Sequence, residues 1–524
     1  MKRIIAILLA TTALTACSLT PEPISTAQHF QRAKDDYKEL YASYLPVTKA
    51  LTLEEAVARA LKYNYDNQLA RVETSLQERQ LDLALSQMLP RLAADAGYNW
   101  RSNNGSSQSI SELTGEKSLD YSYSQERQHT TADLQFSWSM LDLGVSYFQA
   151  RQQGYRAFVA VERRRKVINT LVKETRGAYW KAVSAQRLLP RLEPILATAE
   201  KALAASRKAQ EDALQPPLQA LEYQQNMLQV ISQLKRIRTD LMSAKAQLAA
   251  LINVPPTDAL PLAALVDDAK APSAIQVEIA KLEEIGLAMR PELREEAYQE
   301  QIDRQAVYKE IVKMMPGVTL MASLNQDSNQ YLYRDTWAEA GVRVSYNLVN
   351  LIQGPQAIEA AEAAVAVAKT RRLAVSVAVL TQVNLAYQQY LRSLETLDTA
   401  IDVNKVQRQI TQTVDNANVA SAQSDMERIR RFLSATAAEL ERDRALSDVH
   451  QSLGNLYAAV GIDLVPPTVD TNDMKQLVDQ VGAAIHDWEE GHMPLPDLSA
   501  ATSADEAKGG EHDQSSQPAA VPVS

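Results

Sequence analysis

A strand that continues directly into a very long helix, within residues 130–189, constrains the fold of this chain more than any other feature. The apolar residues of the strand alternate with polar ones, which predicts a strand with one apolar face. They are Leu134, Phe136, Trp138 and Met140. After a short corner at 141–144, the sequence is typical of a helix through Leu189, about 45 residues and roughly 65 Å long. Globular helices average about 11–12 residues, so the fold must join a sheet to a rod.

The long helix carries a coiled-coil seam. Small or apolar residues recur along it at alternating steps of three and four, the spacing of helices that pack side by side. These residues are Ile168, Leu171, Thr175, Ala178, Ala182, Ala185 and Leu189. Pro190 and Pro194 are candidate kinks, beyond which the helix is expected to resume to about residue 213.

Composition favours one extended helical architecture. Glycine and phenylalanine are scarce, at 16 and 5 residues of 524, as in long helical bundles. The net charge of -10 argues against nucleic acid as the main partner, because phosphate contacts need clustered lysine and arginine. The basic run 163–166 is interpreted as a solvated helix face. No apolar stretch of about 18–20 residues follows the N-terminus, so no transmembrane helix is expected.

The first 50 residues predict export and lipid anchoring. Residues 1–16 have a basic start, an apolar centre and a small-residue end, which is typical of a signal peptide. Leu14 to Cys17 matches a bacterial lipobox, so Cys17 is the candidate lipidation (palmitate) site and 17–50 a lipidated tether. The alternative is a chance cysteine beside an ordinary cleavage site. Cys17 is the only cysteine, so a disulfide within one chain and a cysteine zinc site are excluded.

The rest of the chain divides into two similar halves. Each half is predicted to hold a helix, a strand, a polar loop, a second strand, a long helix and a return helix. For the first half these are 51–88, 92–100, 101–129, 130–140, 145–213 and 218–252. For the second they are 283–314, 318–324, 326–335, 340–348, 355–417 and 424–460. The predicted domains are the first repeat 51–256, a linker 257–282, the second repeat 283–466 and a largely disordered C-terminal extension 467–524.

The numbering of matched residues indicates a duplication. Pro90 and Pro316 precede the first strand of each half and lie 226 residues apart. Asp142 and Asn350 follow the second strand and lie 208 residues apart. The offset changes only across the loop between the paired strands, where insertions cost little.

Two strands in each half predict an incomplete barrel. Four strands with open edges cannot stand alone in lipid, because no water is there to pair the free backbone groups. Closure therefore requires several chains, and three chains would supply twelve strands, an ordinary even number. Strands of about ten residues suit a bilayer.

Several motifs resemble the TolC family of outer-membrane factors. They are Leu51–Ala56 with Ala60-Leu61, Leu287–Leu293, Leu89-Pro90, Met315-Pro316 and Ser139–Gly144. The resemblance covers roughly 52–462. It implies a mainly α chain in a homotrimer, with a twelve-stranded transmembrane β-barrel, four strands per chain, continuous with a long periplasmic α-helical barrel. It also implies an outer-membrane exit duct of a tripartite efflux or type I secretion system, partnered by a periplasmic adaptor, an inner-membrane transporter and outer-membrane lipid.

The expected periplasmic mouth departs from the family pattern. Asp425 stands at the first aspartate of the family's Asp-Val-Leu-Asp-Ala run, whereas Arg428 replaces the second. Three copies of Asp425 would form a carboxylate ring that selects cations, partly neutralised by Arg428. The alternative is that Asp425 is an ordinary acid at a helix N-terminus.

No constellation predicts catalysis, a metal or a cofactor. The six histidines show no ligand spacing, and neither a P-loop nor a GxGxxG motif is present. Strand aromatics fit an interfacial belt or ordinary strand composition; they are Tyr98, Trp100, Trp138, Trp337 and Tyr346. Two functions remain open at this point: the exit duct, and a lipid-anchored periplasmic coiled-coil scaffold without a pore.

Overall fold

The computed structural model of the chain describes residues 23–42, 44–108, 110–117, 120, 122–212, 216–263, 275, 277–418, 425–463 and 473–490. Ten helices and six strands are assigned in these residues, taken here in chain order. The first repeat holds α2 (Leu53–Tyr63), α3 (Tyr65–Ser86), β1 (Arg91–Trp100), β2 (Gly105–Ser107), β3 (Ser122–Gln125), β4 (Gln128–Ser139), α4 (Met140–Glu211) and α5 (Pro217–Leu251). The second holds α6 (Ile279–Met289), α7 (Pro291–Lys313), β5 (Gly317–Asp327), β6 (Thr336–Ser345), α8 (Asn350–Asn418) and α9 (Asp425–Val460). Helix α1 (Thr26–Leu40) precedes both repeats and α10 (Met474–Glu489) follows them.

The long strands form one antiparallel sheet in the order β1-β4-β5-β6. Helices α3, α4, α7 and α8 join this sheet at the same end of its four strands, and they pack side by side in the matching order. The sheet and the helical wall are therefore one continuous layer. Further along, α5 and α9 both pack on α4, and α9 also packs on α8.

Each predicted helix before a first strand is interrupted once, so the prediction of single helices over 51–88 and 283–314 was wrong. The breaks fall at Asn64 and Arg290, which have extended backbones with ψ of 130° and 126°. Asn64 accepts hydrogen bonds from the backbone N–H of Asp66 and Asn67, which caps α3. Pro291 begins α7, where a missing N–H costs nothing.

Helix α4 begins directly after β4, without the predicted corner at 141–144. The Ser139 hydroxyl accepts from the N–H of Asp142 and caps the helix at once. The helix then runs for 72 residues, with Pro190 and Pro194 inside it. At 1.5 Å per residue it spans about 108 Å. Leu188, Leu192 and Ile195, around the two prolines, pack against α5.

Three segments contain regular structure that the sequence analysis did not predict. The loop 101–129 holds the β2–β3 hairpin. The tether 17–50 contains α1, and the extension 467–524 contains α10, whose Leu477, Val481 and Ile485 are buried against the main core. No described helix combines the length and apolarity needed to cross a membrane.

The main hydrophobic core lies where the short helices α2, α6 and α10 surround α4, α8 and α9. Leu51 pairs with Leu262 in a parallel bridge there, and the Tyr179 hydroxyl donates to the Leu51 carbonyl at 3.1 Å. Burial of this phenol raises its pKa to about 12. The predicted seam residues of α4 from Leu171 to Ala185 are buried, which confirms that seam.

Candidate functional site: an amphipathic sheet above a helical wall

The register of the sheet places all its leucine and valine residues on one side, the apolar face. Leu92 pairs with Phe136, Leu134 with Leu324, and Leu320 with Val342. Because side chains alternate across a strand, the same face takes every second residue of each strand. Its apolar and aromatic members are Leu92, Ala94, Ala96, Tyr98, Trp100, Ala132, Leu134, Phe136, Trp138, Val318, Leu320, Ala322, Leu324, Ala338, Ala340, Val342 and Val344. The face lies open, with Leu92 and Val344 67% and 68% exposed.

The opposite side, the polar face, carries the charges. One row across the four strands consists of Asp95, Asp133, Asn325 and Trp337. The indole Nε1–H of Trp337 donates to the Glu339 carboxylate at 2.7 Å on the same face. A sheet with one exposed apolar face and one polar face is suited to separating lipid from water.

The aromatic residues divide between the two faces. Tyr98 and Trp100 lie on the apolar face at the loop end, and Trp138 lies on the same face at the helix end. Trp337 belongs to the polar face, which favours ordinary strand composition over the belt interpretation for this residue. Tyr346 follows the last residue of β6.

The two outer strands of the sheet are paired on one side only within the described residues. Both β1 and β6 are almost wholly exposed. Free strand edges can pair with further strands, so both edges of the described sheet are open to pairing.

The helices below those edges carry matching unpaired stripes. Helix α3, below β1, exposes large residues near heptad spacing: Tyr65, Leu69, Val72, Leu76 and Leu83. Helix α8, below β6, exposes small or β-branched residues at steps of three and four: Ala360, Ala363, Val367, Thr370, Ala374, Val377 and Thr381. Large residues on one stripe and small ones on the other suit knobs-into-holes packing. The sequence interpretation missed both stripes, although their spacing was readable.

At the loop end, polar contacts fasten the β2–β3 hairpin to the turn between β5 and β6. His129 Nδ1 lies 2.7 Å from the Asp327 carboxylate. The same carboxylate accepts from the N–H of Asn329, whose side-chain amide donates to the Ser124 carbonyl at 2.9 Å. This network covers one end of the sheet with an ordered hairpin.

The helical wall contains a buried polar cluster between α4 and α9. Arg176 and His450 are 1% and 2% exposed, and Arg176 Nη2 donates to His450 Nδ1 at 3.1 Å. The His450 ring stacks on Trp180 with centroids 4.2 Å apart. Burial, and then the positive charge of Arg176, hold the pKa of His450 well below its ordinary value. The imidazole is therefore neutral at physiological pH.

The structure describes the backbone of two of the three predicted site residues and does not describe the third. Cys17 lies outside the described residues. Asp425 is the first residue of α9 and Arg428 lies in its first turn, while their side chains lie outside the described part. Among the described residues, no group of three or more histidine, cysteine, aspartate or glutamate side chains could hold a metal ion.

No protein-family model matches the chain, and no curated protein matches it in sequence. Solved structures do match it. The CmeC outer-membrane channel of Campylobacter jejuni has a TM-score of 0.61 and 13% identity, over 84% of this chain and 90% of that one. The chain has the fold of the outer-membrane efflux channels. The open state of the MtrE channel of Neisseria gonorrhoeae has a TM-score of 0.59 and 16% identity, over 78% of this chain and 88% of that one. The outer-membrane protein VceC of Vibrio cholerae has a TM-score of 0.57 and 14% identity, over 78% of this chain and 96% of that one. The resemblance to the TolC family is thereby confirmed at the level of the fold.

Proposed function

We propose that the protein is an outer-membrane channel, the exit duct of a tripartite efflux or type I secretion system. Three copies form a twelve-stranded barrel in the outer membrane, and their helices continue as a tube into the periplasm. Substrate enters the tube from a periplasmic adaptor and an inner-membrane transporter. The fold of solved outer-membrane channels supports the general role.

The amphipathic sheet is the observation that carries this proposal. Its strands have 10 to 12 residues, which at about 3.4 Å per residue and the usual barrel tilt span an apolar band about 25 Å tall. The open apolar face would meet lipid, and the polar face, with Asp95 and Asp133, would line a water-filled pore. A periplasmic coiled-coil scaffold would expose the apolar face of this sheet to water, which is unfavourable.

Closure of the ring follows from the edges. If β1 and α3 of one copy meet β6 and α8 of the next, the sheet loses its free edges and the two stripes cover each other. This contact is heterologous, so repetition generates a ring when the rotation between copies closes. Three repeats give twelve strands, which matches the family resemblance.

Neighbouring residues of β6 provide a matched test. Ala340 lies on the apolar face and Gly341 on the polar face, where an added Cβ would meet no atom within 4 Å. Ala340→Arg should impair trimer assembly and insertion, because arginine facing lipid costs about 2–4 kcal/mol near the midplane. Gly341→Arg should insert normally and reduce cation conductance.

The measurement is light scattering in detergent followed by planar-bilayer recording. Equal behaviour of the two variants would contradict the sheet's assigned orientation. A wild-type chain that stays monomeric, conducts nothing and is released without detergent would instead favour the lipid-anchored periplasmic scaffold.

Anchoring and the mouth remain proposals from the sequence. Acylated Cys17, after removal of residues 1–16, would attach the chain to the outer membrane from the periplasmic side. Asp425 would ring the mouth about 100 Å from the barrel, at the far end of α4. Asp425→Ala should then lower cation selectivity and Arg428→Asp should raise it; unchanged selectivity in both would leave Asp425 a helix-capping residue.

A further inference from the structure

Helix α1 is amphipathic and touches little of its own chain. None of its residues is buried. Its apolar residues form one stripe, Ala27, Phe30, Ala33, Tyr37 and Leu40, and its polar residues occupy the opposite side. Phe30 and Tyr37 are 68% and 65% exposed. A helix of 15 residues is marginal in water without packing on its apolar side, so this stripe requires a partner.

The C-terminal end of α1 is fastened at the edge of the helical wall. The Tyr65 hydroxyl donates to the carbonyls of Glu39 and Leu40, and the Asn253 side-chain amide donates to the Leu40 carbonyl at 2.8 Å. Tyr65 is the first residue of α3, the helix below the free edge strand β1. The fixed end of α1 is thus at the side of the protomer where the proposed neighbour begins.

Lipid is a poor partner for the fixed half of α1. Helix α3 has 22 residues between Tyr65 and the sheet, so this end lies about 33 Å from the strands along the helix. Tyr37 and Leu40 are therefore well below a membrane that encloses the sheet. The same chain's α3 does not cover the stripe either, because α1 buries no residue on it.

We propose that α1 is an intersubunit clasp, whose apolar stripe packs on the neighbouring copy of this chain beside the α3–α8 boundary. This inference rests on the proposed trimer. The partner is a second copy because the fixed end of α1 is continuous with that boundary, and the copy across it presents further exposed apolar residues. Among them are Leu373 and Leu385 of α8. The clasp would join adjacent subunits outside the barrel.

Photo-crosslinking from the two sides of α1 tests the clasp. A benzophenone amino acid replaces Phe30 on the stripe or, as the control, Asp35 on the polar side, in the full-length protein in outer membranes. We expect crosslinks to a second copy from position 30, seen as dimers and trimers after boiling in detergent, and their loss from position 35. Crosslinks from position 30 only within the chain, or only to lipid, would overturn the clasp.

A charge pair of variants gives an independent readout. Phe30→Glu and Gln31→Glu add the same charge on the stripe and on the polar side. Only Phe30→Glu should lower the temperature at which the trimer dissociates in detergent, with conductance retained. Equal dissociation temperatures in a conducting trimer would overturn the clasp alone, whereas a chain that forms no trimer would overturn the proposed channel as well.

Discussion

Helices α5 and α9 occupy equivalent places in the two repeats, and both pack on α4, yet they do so with opposite chemistry. The α4–α5 contact is an apolar seam, in which Leu192, Ile195 and Leu196 meet Met227, Ile231 and Leu234. The α4–α9 contact includes buried ions. Ile231 and Glu439 are separated by the same 208 residues as other matched positions after the hairpins, and both are 6% exposed. One repeat therefore buries an isoleucine where the other buries a carboxylate.

The buried acids of α9 face arginines from several helices. Arg187 on α4 pairs with Asp443, and Arg191 on α4 pairs with Glu439 at 2.6 Å. Arg442, beside Asp443 on α9, also reaches its carboxylate at 2.9 Å. Seven residues beyond Asp443, two helical turns along α9, lies His450.

The two contacts on α4 therefore contribute differently, one to the stability of helix packing and the other to its register. An apolar seam gains free energy in proportion to the area it buries, and this attraction has no direction of its own. A buried ion pair contributes little net stability, because desolvation offsets the attraction, but a misplaced partner is costly. The α5 seam therefore holds α4 firmly, while the α9 contacts fix the position of α9 along α4.

The largest difference in stability between equivalent substitutions is expected at the residues that follow the two return helices. Gly461 follows α9 at φ 77°, and Asn253 follows α5 at φ 52°. A Cβ on Gly461 would lie 2.7 Å from the backbone N of Arg290. Gly461→Ala should lower the free energy of unfolding by about 4 kcal/mol, from strain and the clash together. Asn253→Ala should lower it by about 1–2 kcal/mol. Urea denaturation followed by circular dichroism measures both; equal losses would show that the two ends are held alike.

Removing one partner of a buried ion pair should lower the free energy of unfolding less than Gly461→Ala does. The loss should still exceed the net stability that the intact pair contributes, because the remaining charge is left buried. Asp443→Leu removes the nearer of two carboxylates beside Arg187, with Glu439 still at 3.8 Å, and should lower the free energy of unfolding by about 3 kcal/mol. Adding Arg187→Met should restore most of this loss, since two apolar residues of similar size then meet. The cycle completes with Arg187→Met alone. Simple additivity of the two single changes would contradict a position-fixing role for the pair.

The order of elements was predictable because each long element repeats a simple period. Alternation in β4 and the steps of three and four in α4 are local signals, and the constant offsets of 226 and 208 residues expose the duplication. The breaks at Asn64 and Arg290 were missed because the apolar pattern continues across them. The Arg290-Pro291 pair was the available signal, since proline favours the first turn of a helix.

The polar contacts of α9 could not be predicted from the sequence. Arg187 and Asp443 are 256 residues apart, and nothing in either local pattern marks them as partners. The β2–β3 hairpin was missed for a related reason, because its serine- and tyrosine-rich strands lack an apolar alternation and are paired mainly through the backbone. The sheet's two faces, in contrast, were implicit in the alternation of β4, β5 and β6.

The smallest expected effect is a dependence on pH confined to the α9 contact. His450 stays neutral in the folded chain because burial, and next the charge of Arg176, lower its pKa, whereas in the unfolded chain its pKa is about 6.5. Below that value the unfolded state binds the additional proton, so stability present above pH 6.5 is lost as the pH falls, by about 1.4 kcal/mol per pH unit and per chain. His450→Gln can still accept the hydrogen bond from Arg176 and should remove this slope.

The equivalent residue on α5 is the exposed Met242, 208 residues earlier, so the apolar seam offers no such titration. Urea midpoints at pH 7.5, 6.5 and 5.5 for both proteins make the measurement. If the wild-type and His450→Gln midpoints fall in parallel, groups other than His450 carry the acid sensitivity, and the neutral imidazole is only a packing residue between Trp180 and Arg176.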